Sequence, residues 1–259
     1  MSYLNHNFVT NRVGGEGKGS KAGQGIYAES STPKFPIGEK LEFADGRCFR
    51  YGYTAAAVNA SLLVSQDLSA TALVESDDIV IAASGDYSPA AGSSKVQITL
   101  ASISANDYAG ALLQITDDDG EGIQYRIKSN SATGATTSGK VDIELFDPIK
   151  VALTTSSDIA IVGSLWYNVR GATAGTDYLV SAVTPIAFTA NYYGWFQTAG
   201  IALILADGTI AIGDNLTLSD GVTGAVQLKD AETEPLIGLA CYAPDNTGHV
   251  GVALQGLVP

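Results

Sequence analysis

The sequence predicts an all-β protein: an extended N-terminal arm followed by small β-sandwich or barrel domains. Three observations carry this. Charged residues make up only 16% of the 259-residue chain and hydrophobic residues 46%, with small and β-branched residues taking the usual place of charge. Apolar and polar residues alternate in short runs, the period of a half-buried strand. Asp-Gly pairs recur at residues 45–46, 119–120, 207–208 and 220–221, and Asp-Gly between alternating runs is hairpin chemistry.

The arm, residues 1–34, differs from everything after it. It is rich in Gly, Ser, Asn and Lys, and four basic residues (Arg12, Lys18, Lys21, Lys34) outnumber two acidic ones (Glu16, Glu29). The remaining 225 residues hold 10 basic and 25 acidic side chains. A segment of this composition buries too little apolar area to offset its ordering entropy. It is expected to stay mobile until a partner surface orders it.

Residues 35–69 read as a connecting hairpin segment. Pro33 and Pro36 keep the chain extended. Lys40–Phe43 and Arg47–Tyr53 alternate around Asp45-Gly46. Thr54–Ser65 fits a short helix or a buried strand, and periodicity does not choose between them. Residues 70–162 read as a sandwich or barrel. Its strands centre on Asp78–Ile81, Val96/Ile98/Leu100, Leu112–Ile115, Ile123/Tyr125/Ile127 and Val141/Ile143/Leu145. Residues 163–259 read as a second β-domain. There, Ile201–Leu205 and Thr209–Ile212 are expected to pair across Asp207-Gly208. Leu216–Leu218 and Gly224–Leu228 flank Asp220-Gly221, and Val250, Val252 and Leu254 form the last strand.

The chemistry-bearing residues are few. The two histidines are His6, in the arm, and His249, in a turn entering the last strand. No nucleophile elbow, zinc-protease helix or phosphate loop occurs, and Gly14–Ser20 lacks the spacing of a phosphate loop. The expectation is therefore no catalytic residue, no cofactor and no metal site. Asp117, Asp118, Asp119 and Glu121 are the densest acidic group. Calcium would accept such oxygens, but the order does not fit an EF-hand loop, and a solvated hairpin turn is expected. Cys48 and Cys241 are expected to be two buried free thiols, with pairing left open. A net charge of −13 argues against nucleic acid as a partner. No 18-residue apolar run marks a membrane span, and no secretory signal is visible. Tyr192, Tyr193, Trp195 and Phe196 form the most aromatic stretch, with one side expected in the core and the other a candidate interface.

Two passages carry a resemblance. Pro36-Ile37-Gly38 followed by Asp45-Gly46-Arg47-Cys48-Phe49-Arg50-Tyr51 resembles a segment near the start of tailed-bacteriophage head decoration (capsid cement) proteins. Tyr192–Gly200 resembles the opening of their closing β-domain. That likeness continues through Leu216–Leu218, Gly224–Val226 and Ile237–Ala240 to Val250–Leu254. The resemblance covers about half the chain. It implies a non-enzymatic virion protein on the outer capsid surface, often a homotrimer, that bridges subunits of the major capsid protein and stabilises the shell. On this reading Tyr3, Leu4, Phe8 and Val9 anchor the arm to the capsid, and Arg12, Lys18 and Lys21 add charge contacts. The alternative is a receptor- or glycan-binding virion or fibre-associated protein that uses the aromatic stretch.

Overall fold

The computed structural model describes residues 23–66, 90–135, 139–175, 179–243, 248–255 and 257, and the backbone of 74–80. The chain is all-β, with seventeen strands and no helix among these residues. The first three strands are β1 (Lys40–Glu42), β2 (Cys48–Thr54) and β3 (Leu63–Gln66). Six more follow: β4 (Val74–Val80), β5 (Lys95–Thr99), β6 (Leu112–Ile115), β7 (Gln124–Asn130), β8 (Lys140–Leu145) and β9 (Asp158–Val162). The rest are β10 (Val169–Gly171), β11 (Val180–Val183), β12 (Tyr192–Ala199), β13 (Ile201–Leu205), β14 (Asn215–Leu218), β15 (Val226–Leu228), β16 (Gly238–Tyr242) and β17 (His249–Leu254).

The chain divides into two compact units. The described residues of Met1–Asp67 and Asn168–Pro259 make the first, and those of Leu68–Tyr167 the second. This division differs from the boundaries expected from sequence. Residues 35–67 are not a separate connector. They supply strands to the same unit as the C-terminal third, because β2 finds its longest partner in β12.

In the first unit β2, β10, β3, β11 and β12 follow one another around a closed five-stranded barrel, with β1 attached outside β2. Closure comes from the antiparallel β2–β12 pair, which runs from Tyr192 opposite Thr54 to Ala199 opposite Cys48. Closure leaves β1 as the outermost strand of this sheet and gives each barrel strand a partner on both sides. A second sheet follows in the order β13-β17-β16-β14-β15. A parallel bridge of Ala206 to Val226 links its two ends. Leu63, Val180 and Val183 from the barrel share one core with Ala202, Ile204, Leu216, Leu218, Val226, Val250 and Val252 from this sheet.

Two details depart from the sequence reading, and a third decides between its alternatives. Ile201–Leu205 does not pair with Thr209–Ile212. It pairs with β17, from Ile201 opposite Ala253 to Leu205 opposite His249. Beyond Asp207 the chain turns away, burying Ile210 at 6% exposure and leaving Ile212 at 71%. The ambiguous Thr54–Ser65 stretch holds no helix, and its end forms β3, buried along its whole length. The thiols are free, but Cys48 is only half-buried and Cys241 is exposed, with Cys241 Sγ donating to the Gly251 carbonyl at 3.2 Å.

The second unit is one antiparallel sheet in the order β4-β9-β6-β7-β8-β5. Its alternation reads out as expected. Val96, Ile98, Leu113, Ile115, Tyr125, Ile127, Val141, Ile143, Ile159 and Ile161 point into one core with Tyr108 and Ile149. Asn130 fixes the loop over that core. Its side chain donates to the carbonyls of Ser104 and Ser131, both at 2.9 Å, and accepts from the Tyr108 amide at 2.8 Å. These bonds satisfy a buried amide that would otherwise be costly.

Candidate functional site

The β2–β12 pair places two rows of side chains side by side. On one face Phe49, Tyr51 and Tyr53 stand opposite Gln197, Trp195 and Tyr193, because residues directly across an antiparallel pair point the same way. The rings pack edge to face and tilted: Tyr51 lies 5.1 Å from Trp195 and Tyr53 4.8 Å from Tyr193, centroid to centroid. On the other face Phe196 stacks on Phe188 at 4.7 Å. Gly194 leaves the space that the Phe188 ring fills.

A strap, residues 23–36, lies across this pair. Ser30 and Tyr193 exchange two backbone hydrogen bonds, of 3.0 and 2.8 Å. The Trp195 indole Nε1 donates to the Gln24 carbonyl at 2.9 Å. The Gln24 side chain donates to the carbonyls of Ala28 and Tyr193 and accepts from the Tyr51 hydroxyl, each at 2.6 Å. The same hydroxyl accepts from the Lys34 amide at 3.0 Å. Glu29 accepts from the amide and hydroxyl of Thr189, both at 2.7 Å. Phe35 closes the set, 5.3 Å from Tyr51 and 5.1 Å from Trp195. Burial pushes the Tyr51 phenol up to about 12, against a smaller lowering by the Lys34 amide. Burial raises Tyr193 as well, with Tyr53 adding to it.

The strap then feeds the β1–β2 hairpin. Gly38 and Tyr51 are joined by the Gly38 amide to the Tyr51 carbonyl at 2.8 Å, and Arg50 Nη1 donates to the Gly38 carbonyl at 3.0 Å. The hairpin turn is closed between Phe43 and Arg47, with Gly46 at φ +85°. Asp45 accepts from the Arg47 amide and pairs with its guanidinium at 2.8 Å. The Arg47 amide bond, more than the charge, holds the Asp45 carboxyl below its usual value.

These contacts sort the expected site residues. Tyr3, Leu4, Phe8, Val9, Arg12, Lys18 and Lys21 lie outside the described residues. Residues 23–34 were expected to await a partner; they are instead ordered on their own barrel. Trp195 and Phe196 are 2% and 0% exposed, so neither presents a surface. Tyr192 and Tyr193 are half-buried. Composition hid the strap because its anchors are a single Gln, a single Glu and backbone groups, none of which carries a hydrophobic pattern. The only visible signal was Phe35 held between two prolines.

The acidic group at 117–121 closes the β6–β7 connection as a turn. Asp117 accepts from the Asp118 amide at 2.8 Å, and Asp118 accepts from the Thr154 hydroxyl at 2.9 Å. Among the described residues no three His, Cys, Asp or Glu side chains gather as metal ligands. His249 is exposed at the start of β17. No family model, curated protein or solved structure matches the chain.

Proposed function

We propose that the chain is a non-enzymatic virion protein that binds the outer surface of a phage capsid and stabilises the shell by bridging major capsid subunits. One observation supports this reading above the others. The first passage that resembles decoration proteins, Pro36–Gly38 with Asp45–Tyr51, and the opening of the second, Tyr192–Gly200, lie far apart in sequence yet meet in the fold. Cys48–Tyr51 of the first and Trp195–Ala199 of the second face each other in the β2–β12 pair that closes the barrel. A chance likeness of two short segments has no reason to fall on pairing strands.

The strap adds to the reading. It fixes Gln24 on the barrel through Tyr193 and Trp195, so contacts made by residues N-terminal to it would be tethered to that point. Contacts made by an arm tethered to a rigid body gain effective concentration and sum to high avidity. A protein that binds only the assembled lattice stabilises that lattice by mass action. The glycan-reading alternative rested on an open aromatic face of β12, and the burial of Trp195 and Phe196 narrows that face to the half-buried Tyr192 and Tyr193.

The test uses undecorated phage heads mixed with the full chain or with a variant lacking residues 1–22. The full chain should saturate the heads and raise the temperature of genome release, and the truncated chain should bind more weakly. Failure of the full chain to bind any head overturns the reading. Equal occupancy by both forms would place attachment in the barrel unit and remove the arm's role.

A further inference from the structure

The outer face of the β13-β17-β16 sheet is apolar where a soluble surface should be polar. In a sheet with one buried face, the residues between the core positions are normally hydrophilic. Here Ala202, Ile204, Val250, Val252 and Ala240 point into the core, and the alternate residues form outward rows, of which Leu205 beside His249 lies at the polar rim and the other two are apolar. Ile201 stands beside Ala253 and Leu239, and Leu203 stands beside Gly251 and Tyr242. Ile201 is 62% exposed, Leu203 55% and Tyr242 57%. None of the six carries a charge.

The strip is also shaped for a face-on contact. The Tyr242 side chain rests where a Cβ on Gly251 would go, 2.9 Å from that position, so the centre of the strip is flat backbone flanked by Leu203 and Tyr242. Strand addition along the β13 edge is hindered. Gln197 Nε2 donates to the Ile201 carbonyl at 3.0 Å, and the Leu205 amide donates to the Ser61 carbonyl at 2.9 Å. An edge blunted in this way resists edge-to-edge pairing, which leaves the face.

The geometry points to this face as the surface through which one copy of the chain meets another. Charge decides the occupant. Each copy carries −13, so two copies repel wherever their acidic surfaces approach. They attract only where charge is absent and apolar area is shed from water. A basic partner would gain nothing from a strip with no carboxylate, and an anionic lipid surface is repelled by the chain as a whole. The strip exposes on the order of 400 Å² of apolar area, at the scale that marks interaction sites on soluble proteins. Two such strips with a polar rim reach about 1,000 Å², where specific interfaces begin. The inference rests on this sheet and not on the capsid reading, and it stands or falls without any phage head.

Sedimentation of the full chain tests it. Wild-type protein at roughly 100 μM, a concentration that populates interfaces of this modest size, should sediment heavier than the 26.7 kDa single chain. The double variant Ile201→Glu, Leu203→Glu should return to that single-chain mass with unchanged circular dichroism. Leu203→Ser, a milder change on the same exposed row, should weaken association at least tenfold. Val162→Glu, at an exposed position of the other unit (52%), should leave the assembly intact. A wild-type chain that stays at single-chain mass overturns the proposal. So does an assembly that survives both the double variant and Leu203→Ser.

Discussion

A methyl group at Gly194 would sit 2.2 Å from Phe188 Cε1 and 2.7 Å from its Cζ. Phe188 is locked by its stack on Phe196, so it yields only by breaking that pair. Gly194→Ala is expected to cost about 1–3 kcal/mol, the usual range for overpacking, read as a lowered urea midpoint at unchanged slope. Tyr51 gives a pH-dependent counterpart. Its phenol titrates near 10 when unfolded and at about 12 in the fold. The folded state therefore holds the proton more tightly. The associated stability is complete below pH 10 and is lost as pH rises toward 12. Tyr51→Phe should flatten that loss between pH 10 and 12. At pH 8 it should cost about 1–2 kcal/mol, because the Lys34 amide and Gln24 Oε1 lose their partner. Urea midpoints of both proteins at pH 8 and pH 11 check both statements.

The strap is bonded to both strands of the closing pair, to β2 through Tyr51 and to β12 through Tyr193 and Trp195. Removing residues 1–22 should leave the melting temperature unchanged. Removing 1–34 should cost about 3–5 kcal/mol, since it deletes several hydrogen bonds worth about 1 kcal/mol each. It should also wet the Trp195 indole and shift its emission to the red. Equal stability of the two truncations would show that the strap merely rests on the barrel. At this scale the sequence was readable wherever one face of a strand meets a core. The rows Val96/Ile98, Tyr125/Ile127 and Val141/Ile143/Leu145 alternate in the sequence as they do in the sheet. The β1–β2 and β14–β15 pairs form across the Asp-Gly turns that the sequence places there. It was unreadable where pairing is non-local. Asp207-Gly208 has hairpin chemistry, but β17 offers β13 five consecutive partners and the core claims Ile210. A turn signal does not outweigh a full ladder. The candidate site was half legible: the aromatic stretch was visible, but its burial under a polar strap was not.

For the whole molecule, the main architectural fact is where the second unit enters. Gln66 ends β3 and Val169 begins β10, and these two residues face each other in register. Within the second unit the first and last strands, β4 and β9, are likewise antiparallel neighbours, with Val74 opposite Val162. The unit occupies the position of a hairpin loop, the kind of site that accepts inserted domains. Replacing residues 67–168 with Asn-Gly, a turn suited to a two-residue hairpin, should leave the first unit folded. That chain keeps Trp195 and loses Trp166, so a single blue-shifted emission and cooperative melting would verify it. Residues 68–167 expressed alone should give a cooperatively melting β-protein. An unfolded product in both cases would mean that neither unit holds its fold without the other.

Barrel closure also sets an order of events during synthesis. β2 waits for β12, which leaves the ribosome only after roughly 140 more residues, and domains fold largely as they emerge. The unit inserted between them is complete before its host. By bringing its own ends together it replaces a long random loop with a short link and lowers the entropy of the later closure. The cost falls on the interval. Until β12 arrives, Phe49, Tyr51 and Tyr53 have no opposite row, and such non-local pairing is slow, on the order of milliseconds to seconds. A nascent chain halted between Tyr167 and Tyr192 would therefore combine a finished module with a sticky, half-built barrel.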